Sequence, residues 1–196
     1  MRREDAHVKK RLEEMTLEEL WTRFPVRLTA HRAEWAAAYR EMEAALRAAL
    51  AGRGARRISH IGSTAVEGIW AKPIVDILVE LEPGAPMEPA AEAVENMGFL
   101  CMSAAEGRMA FNLGYTEEGF GERVFHLHLR PAGDNGELYF RDYLNAHPPE
   151  AAAYERLKLT LWRMYPRDRD GYTGAKTAFV RRRTERAKAL WPDRYR

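Results

Sequence analysis

The segment His60-Ile61-Gly62-Ser63-Thr64, followed by Lys72 and Asp76, carries the residue types that phosphate chemistry needs. Gly62 has no Cβ, so the backbone there can come close to a ligand. Ser63, Thr64 and the amides around them open a turn where unpaired N–H groups and the local dipole favour an anion. Asp76 sits in the run IVDILV, which predicts a strand. A carboxylate on that strand could bind a divalent cation that bridges phosphates, while Lys72, just ahead of it, adds a positive point charge. His60 ends the preceding strand and either orients the turn or meets a phosphate.

His126 and His128 form a second constellation, because i, i+2 spacing sends both rings to one face of a strand. Two imidazoles with a carboxylate suit Zn2+ or Mn2+ better than Mg2+, which prefers oxygen. Alternatively one ring is a general base that takes the proton of an acceptor hydroxyl, or both simply line a wall or core.

The wording HIGSTAVEG at 60–68 and AKPIVDILV at 71–79 resembles the GrpB (UPF0157) family of the nucleotidyltransferase superfamily. HLHL at 126–129, FRDYLNAHP at 140–148, Tyr154 with Lys158, and Tyr172-Thr173 with Lys176 fit the same family, so the resemblance spans about 26–190. It implies a nucleotidyltransferase-like fold that moves a nucleotidyl group from an NTP to an unidentified small-molecule acceptor hydroxyl or amine. The implied cofactor is a divalent metal, Mg2+ or Mn2+ or else Zn2+, with Asp76, His126 and His128 as its ligands. Asp76, His128 and Lys72 are the expected catalytic groups. His60, Gly62, Ser63, Thr64, Arg141, Lys158, Tyr172 and Lys176 are the expected nucleotide and phosphate contacts.

One departure cuts against activity. Members that transfer nucleotides usually carry a second acid two residues after the first, and here that position is Leu78. Glu80 faces the same side but lies about 13 Å along the strand from Asp76, too far to share an ion. The alternative is therefore a catalytically inactive module of the same fold that binds a nucleotide or phosphate ligand.

The elements that must position these groups read as an α/β (α+β) chain. Helical spacing predicts a helix over 4–23, capped where Thr16 and Glu19 make an S/T-x-x-E box, and an amphipathic helix over 33–51 closed by Gly52 and Gly54. RRISHI, KPIVDILVEL, GFLCMS, RMAFNLGY and RVFHLHLRP predict a mixed sheet of about five strands. A helix before Gly98 could link parallel neighbours, and short links around Gly107 and Gly121 favour hairpins. Three C-terminal helices, at 137–146, 149–164 and 171–190, should pack on the sheet. The expectation is a single domain over 1–196, with 1–24 a helical extension and 26–190 the family core.

The 196 residues, 46% hydrophobic and 31% charged, suffice for one packed core. A net charge of +2 does not point to nucleic acid, although Arg181, Arg182, Arg183, Arg186 and Lys188 make the last helix basic; it reads as a solvated face. No run suits a membrane span and the charged start does not suit a secretory signal, so a cytoplasmic location is expected. Cys101 is expected to be a small buried hydrophobe. The base, the acceptor and the oligomeric state are not written in these residues.

Overall fold

The computed structural model describes residues 11–196. Part of the expected first helix, residues 4–10, lies outside the described residues. The remainder is a short 3-10 turn, Leu12–Glu14, and then α1, Leu17–Arg23. Thr16 makes the break: its Oγ1 accepts from Glu19 N, and Glu19 Oε2 accepts from Thr16 N. α2 (Glu34–Ala49) follows and ends before Gly52 and Gly54, both at positive φ.

A five-stranded mixed sheet has the order β1-β2-β5-β4-β3, with β1 Ala55–Ile61, β2 Val75–Leu81, β3 Leu100–Ala105, β4 Arg108–Thr116 and β5 Gly119–Pro131. Only β2 and β5 run parallel to one another as neighbours. The helix α3 (Glu88–Asn96) does not join neighbouring strands as expected, because it carries the chain from β2 to the far edge with β5 and β4 lying between. Strand order depends on which long-range pairing buries most, and local periodicity does not record it. One hairpin turns at Glu106-Gly107; the other turns ahead of Gly119, leaving Gly121 inside β5. The four C-terminal helices are α4 (Gly136–Ala146), α5 (Pro148–Met164), α6 (Arg169–Gly174) and α7 (Thr177–Leu190). The third expected helix is thus two, divided at Ala175-Lys176.

Strand alternation separates two layers. Ile77, Val79, Leu127, Leu129 and Phe111 pack against Trp35 and Leu46 of α2 and Val94 of α3, which buries this sheet face over β2, β5 and the middle of β4. On the other face Leu78 and Ile61 meet Leu138 of α4, and a separate helical core of Val66, Tyr139, Phe140 and Tyr154 stands beyond. This second face remains open over β5 and β4. Cys101 is exposed, contrary to expectation, because β3 is an edge strand with both faces bare. No helix of the described residues is long and apolar enough to cross a membrane.

Glu80 is buried and structural. Its carboxylate accepts from Arg57 Nη1 at 2.9 Å, Asn135 Nδ2 at 2.9 Å and Gly133 N at 3.1 Å, tying β1, β2 and the turn after β5. Glu80→Ala strands these donors, so we expect about 3 kcal/mol of lost stability in urea titrations. A loss below about 1 kcal/mol would show that the cluster does not hold the sheet.

Candidate active site

Asp76 is opposite Ile61 on one side and His126 on the other, so the register of three strands sets its place. Asn112 of β4 pairs with His126 in turn, and the polar residues of β2, β5 and β4 therefore share the open face. They line a cleft of about 550 Å³ together with Ser63, Lys72, Arg169, Tyr172 and Lys176.

His126 Nδ1 lies 3.3 Å from Asp76 Oδ1, and His128 Nε2 lies 4.0 Å from the same oxygen. Burial alone would raise the Asp76 pKa, but hydrogen bonds and charge from the two imidazoles outweigh it and hold the carboxyl well below the usual range. Tyr115 Oη stands 2.8 Å from His126 Nε2, and Arg169 donates to Tyr115 Oη at 3.0 Å. Burial pushes the Tyr115 hydroxyl up, so it stays protonated. The remaining nitrogen of the pair, His128 Nδ1, is shielded and has no hydrogen-bond partner among the described residues.

Tyr115 reaches this face because the ladder breaks before it. Leu113 faces Phe125, yet Tyr115 faces Phe120, so β5 carries extra residues between Gly121 and Val124. Gly114 sits at the break with φ 90°, where a side chain would overlap the Arg123 carbonyl.

Gly62 adopts φ 72° and ψ −168°, and a Cβ there would overlap Asp76 Oδ2 and lie 2.9 Å from Asp76 Cγ. The missing side chain thus makes room for the carboxylate. Ser63 lines the cleft and its side chain meets the Tyr154 hydroxyl, which burial raises to about 12.

Lys72 Nζ lies 4.5 Å and Lys176 Nζ 4.3 Å from the Tyr172 ring centroid. Tyr172 is buried, so it supports two ammonium groups and presents no free face to a base. Burial, with the neighbouring Lys176 and Arg169, lowers Lys72 to about 7; burial lowers Lys176 to about 8. None of Lys72, Lys176 and Arg169 has a carboxylate within ion-pair distance among the described residues.

Several expected contacts stand elsewhere. Thr64 is buried and donates to the Ile74 carbonyl at 3.1 Å, which leaves His60 Nε2 to donate to Thr64 Oγ1 at 2.9 Å. His60 alternates with Ile61, points to the covered sheet face and stacks on Tyr39 with centroids 4.8 Å apart. Burial lowers its pKa to about 4, so it is a neutral brace behind the turn. Arg141 donates to the His60 carbonyl at 2.7 Å and pairs with Asp142, outside the cleft. Lys158 is buried beneath it, donating to the Trp70 carbonyl. Thr64, Arg141 and Lys158 each donate to a backbone carbonyl, and Arg141 also bonds Asp142 and Tyr195. The residues that sequence reasoning missed are Asn112, legible from alternation in RMAFNLGY, and Tyr115, Arg169 and Asp170, which only the bulge and α6 bring in.

Among the described residues no three His, Cys, Asp or Glu side chains are gathered as a metal cage, and both ring nitrogens of His126 are engaged. The set does not suit a protein-only Zn2+ site. Asp76 fits as the single carboxylate of a cation that draws its other oxygens from phosphates and water.

The GrpB protein family model matches residues 25–186. The chain belongs to the GrpB family. A UPF0157 protein of Pseudomonas aeruginosa is 41% identical over 148 residues, covering 74% of this chain and 60% of that protein. The glutamate-rich protein GrpB of Alkalihalophilus pseudofirmus is 35% identical over 159 residues, covering 78% of this chain and 90% of that one. The chain thus spans less than two thirds of the Pseudomonas protein. The crystal structure of the conserved protein GrpB from Enterococcus faecalis superposes with a TM-score of 0.71 at 28% identity, covering 84% of this chain and 99% of that one. This GrpB protein therefore shares its α/β architecture with a solved relative, and α1 lies ahead of the matched region.

Proposed function

We propose that the cleft binds a nucleoside triphosphate and transfers its nucleotidyl group to an acceptor hydroxyl or amine. The observation that carries this reading is the convergence of Lys72, Lys176 and Arg169, none of them paired to a carboxylate, on the clamped carboxylate of Asp76. Three cations against the carboxylates of Asp76 and Asp170 leave a partly desolvated cleft with a positive excess that an anionic ligand offsets. The acceptor oxygen or nitrogen would bond to the α-phosphorus as the bond to the bridging oxygen breaks and pyrophosphate departs. Lys72, Lys176 and Arg169 would neutralise the departing charge. His128 is the less engaged of the two imidazoles, its Nε2 lying 4.0 Å from Asp76 while Tyr115 and Asp76 occupy both nitrogens of His126, so the acceptor proton would pass to His128 Nε2. A divalent cation entering with the nucleotide would draw charge from the phosphates, with Asp76 as its protein ligand. An adjoining cleft of about 350 Å³, lined by Arg27, Arg32 and Glu122 and sharing Lys72 and Arg169, offers the acceptor a route.

A second reading, binding without turnover, is favoured by one fact: Leu78 is fully buried against Ile61 and Leu138, so β2 has no second carboxylate in the cleft. Labelled triphosphates supplied with Mg2+ or Mn2+ and a cell extract separate the two. Label incorporation with pyrophosphate release supports transfer, and saturable binding without it supports the module. In equilibrium dialysis the protein alone should retain no Mn2+, whereas protein with nucleotide should, and Asp76→Asn should remove this ternary binding. If Asp76→Asn leaves nucleotide and metal binding as in the parent, the site is elsewhere.

A further inference from the structure

The cleft is chemically two-sided. Its floor is cationic, from Lys72, Arg169 and Lys176, but its rim is apolar, from Leu17, Leu20 and Trp21 of α1 facing Met102 of β3. This apolar rim is wet: Leu17 is 64% and Met102 59% exposed, and no residue of α1 is buried. An apolar edge exposed beside a charged floor is a feature of sites whose ligand covers it. A bare polyphosphate or a phosphosugar would satisfy the floor and leave the rim in water. A ligand with a flat apolar ring at one end and phosphates at the other satisfies both.

α1 is held in place to do this. The Thr16 cap starts it, and buried Phe24 at its end packs edge-on to Tyr115 and Phe120, with centroids 4.9 and 5.1 Å away. Since Tyr115 also bonds His126, the roof and the Asp76 clamp share one support. Trp21 is the half-buried aromatic ring of this rim, and an indole offers the largest stacking surface of any side chain.

We infer that Trp21 is the base-stacking platform, so that the ligand's heteroaromatic ring lies under α1 while its phosphates rest on Lys72, Lys176 and Arg169. The inference rests on the nucleotide reading above and adds where the base sits. The platform therefore lies on a helix ahead of the region that the family model matches.

Calorimetry on the full chain, with inorganic tripolyphosphate and with each of ATP, GTP, CTP and UTP as probes, tests it. Trp21→Ala should weaken the tightest-bound nucleotide about tenfold, the loss expected of one stacked base. It should leave tripolyphosphate affinity as it was, and Trp21→Phe should recover most of the loss. If Trp21→Ala leaves both affinities unchanged, or lowers them equally, the platform is refuted while the phosphate site stands. If the parent binds neither nucleotide nor tripolyphosphate, the nucleotide reading fails and the platform falls with it.

Discussion

Gly62→Ala should abolish nucleotide binding, while Gly68→Ala on the same loop should leave it intact. Both glycines have left-handed φ, 72° and 74°, so a side chain at either strains the backbone by about 1–3 kcal/mol. Their surroundings differ. A Cβ at Gly68 meets nothing within 4 Å, whereas one at Gly62 overlaps Asp76 Oδ2. Either the loop moves, which displaces the turn at Ser63 from the cleft, or the carboxylate moves, which parts Asp76 from His126 and His128. Nucleotide titrations should show a loss of tenfold or more for Gly62→Ala alone, with circular dichroism confirming that both variants fold. Equal affinities for the two variants would mean that the Gly62–Asp76 contact is not part of the site.

Nucleotide binding should also consume protons, and its affinity should fall as pH rises. Lys72 and Lys176 have pKa values lowered to about 7 and about 8 in the free protein. A polyanion placed beside them raises both. A group whose pKa rises on binding contributes fully below its free value, and the contribution is lost as pH climbs through the bound value. Nucleotide binding should therefore take up on the order of one proton near pH 8 and far less near pH 6. The slope of binding enthalpy against buffer ionisation enthalpy gives the number directly. Zero uptake at the higher pH would remove both lysines from the phosphate site. Without ligand the sign is opposite to that of an ordinary ion pair. Lys72, Lys158 and Lys176 all fall below the usual lysine value, so their penalty on folding is full below about pH 7 and fades towards 10.5.

Alternation puts His126 and His128 on one face of a strand, while the parallel register of β2 with β5, which alternation does not give, brings Asp76 beside them. The same rule places His60 on the covered face, since Ile61 pairs with Asp76 and His60 with Ile77. Parity between strands needs a register, and that depends on pairings far apart in the chain. The family resemblance makes Arg141, Lys158 and Tyr172 candidates, yet Arg141 and Lys158 donate to the His60 and Trp70 carbonyls and the Tyr172 ring lies under a pair of ammonium groups. Helical periodicity shows which side chains share a face but not what that face will meet. The roof from α1 and the contribution of Arg169 were invisible for the same reason.

The interruption in β5 between Gly121 and Val124 makes the composition of this pocket a matter of chain length as well as residue identity. Were those extra residues deleted, pairing with β4 would run on unbroken and Tyr115 would turn away from His126 without itself being replaced. Insertions and deletions in one hairpin arm therefore give homologous proteins a way to exchange the imidazole's neighbour in a single evolutionary event.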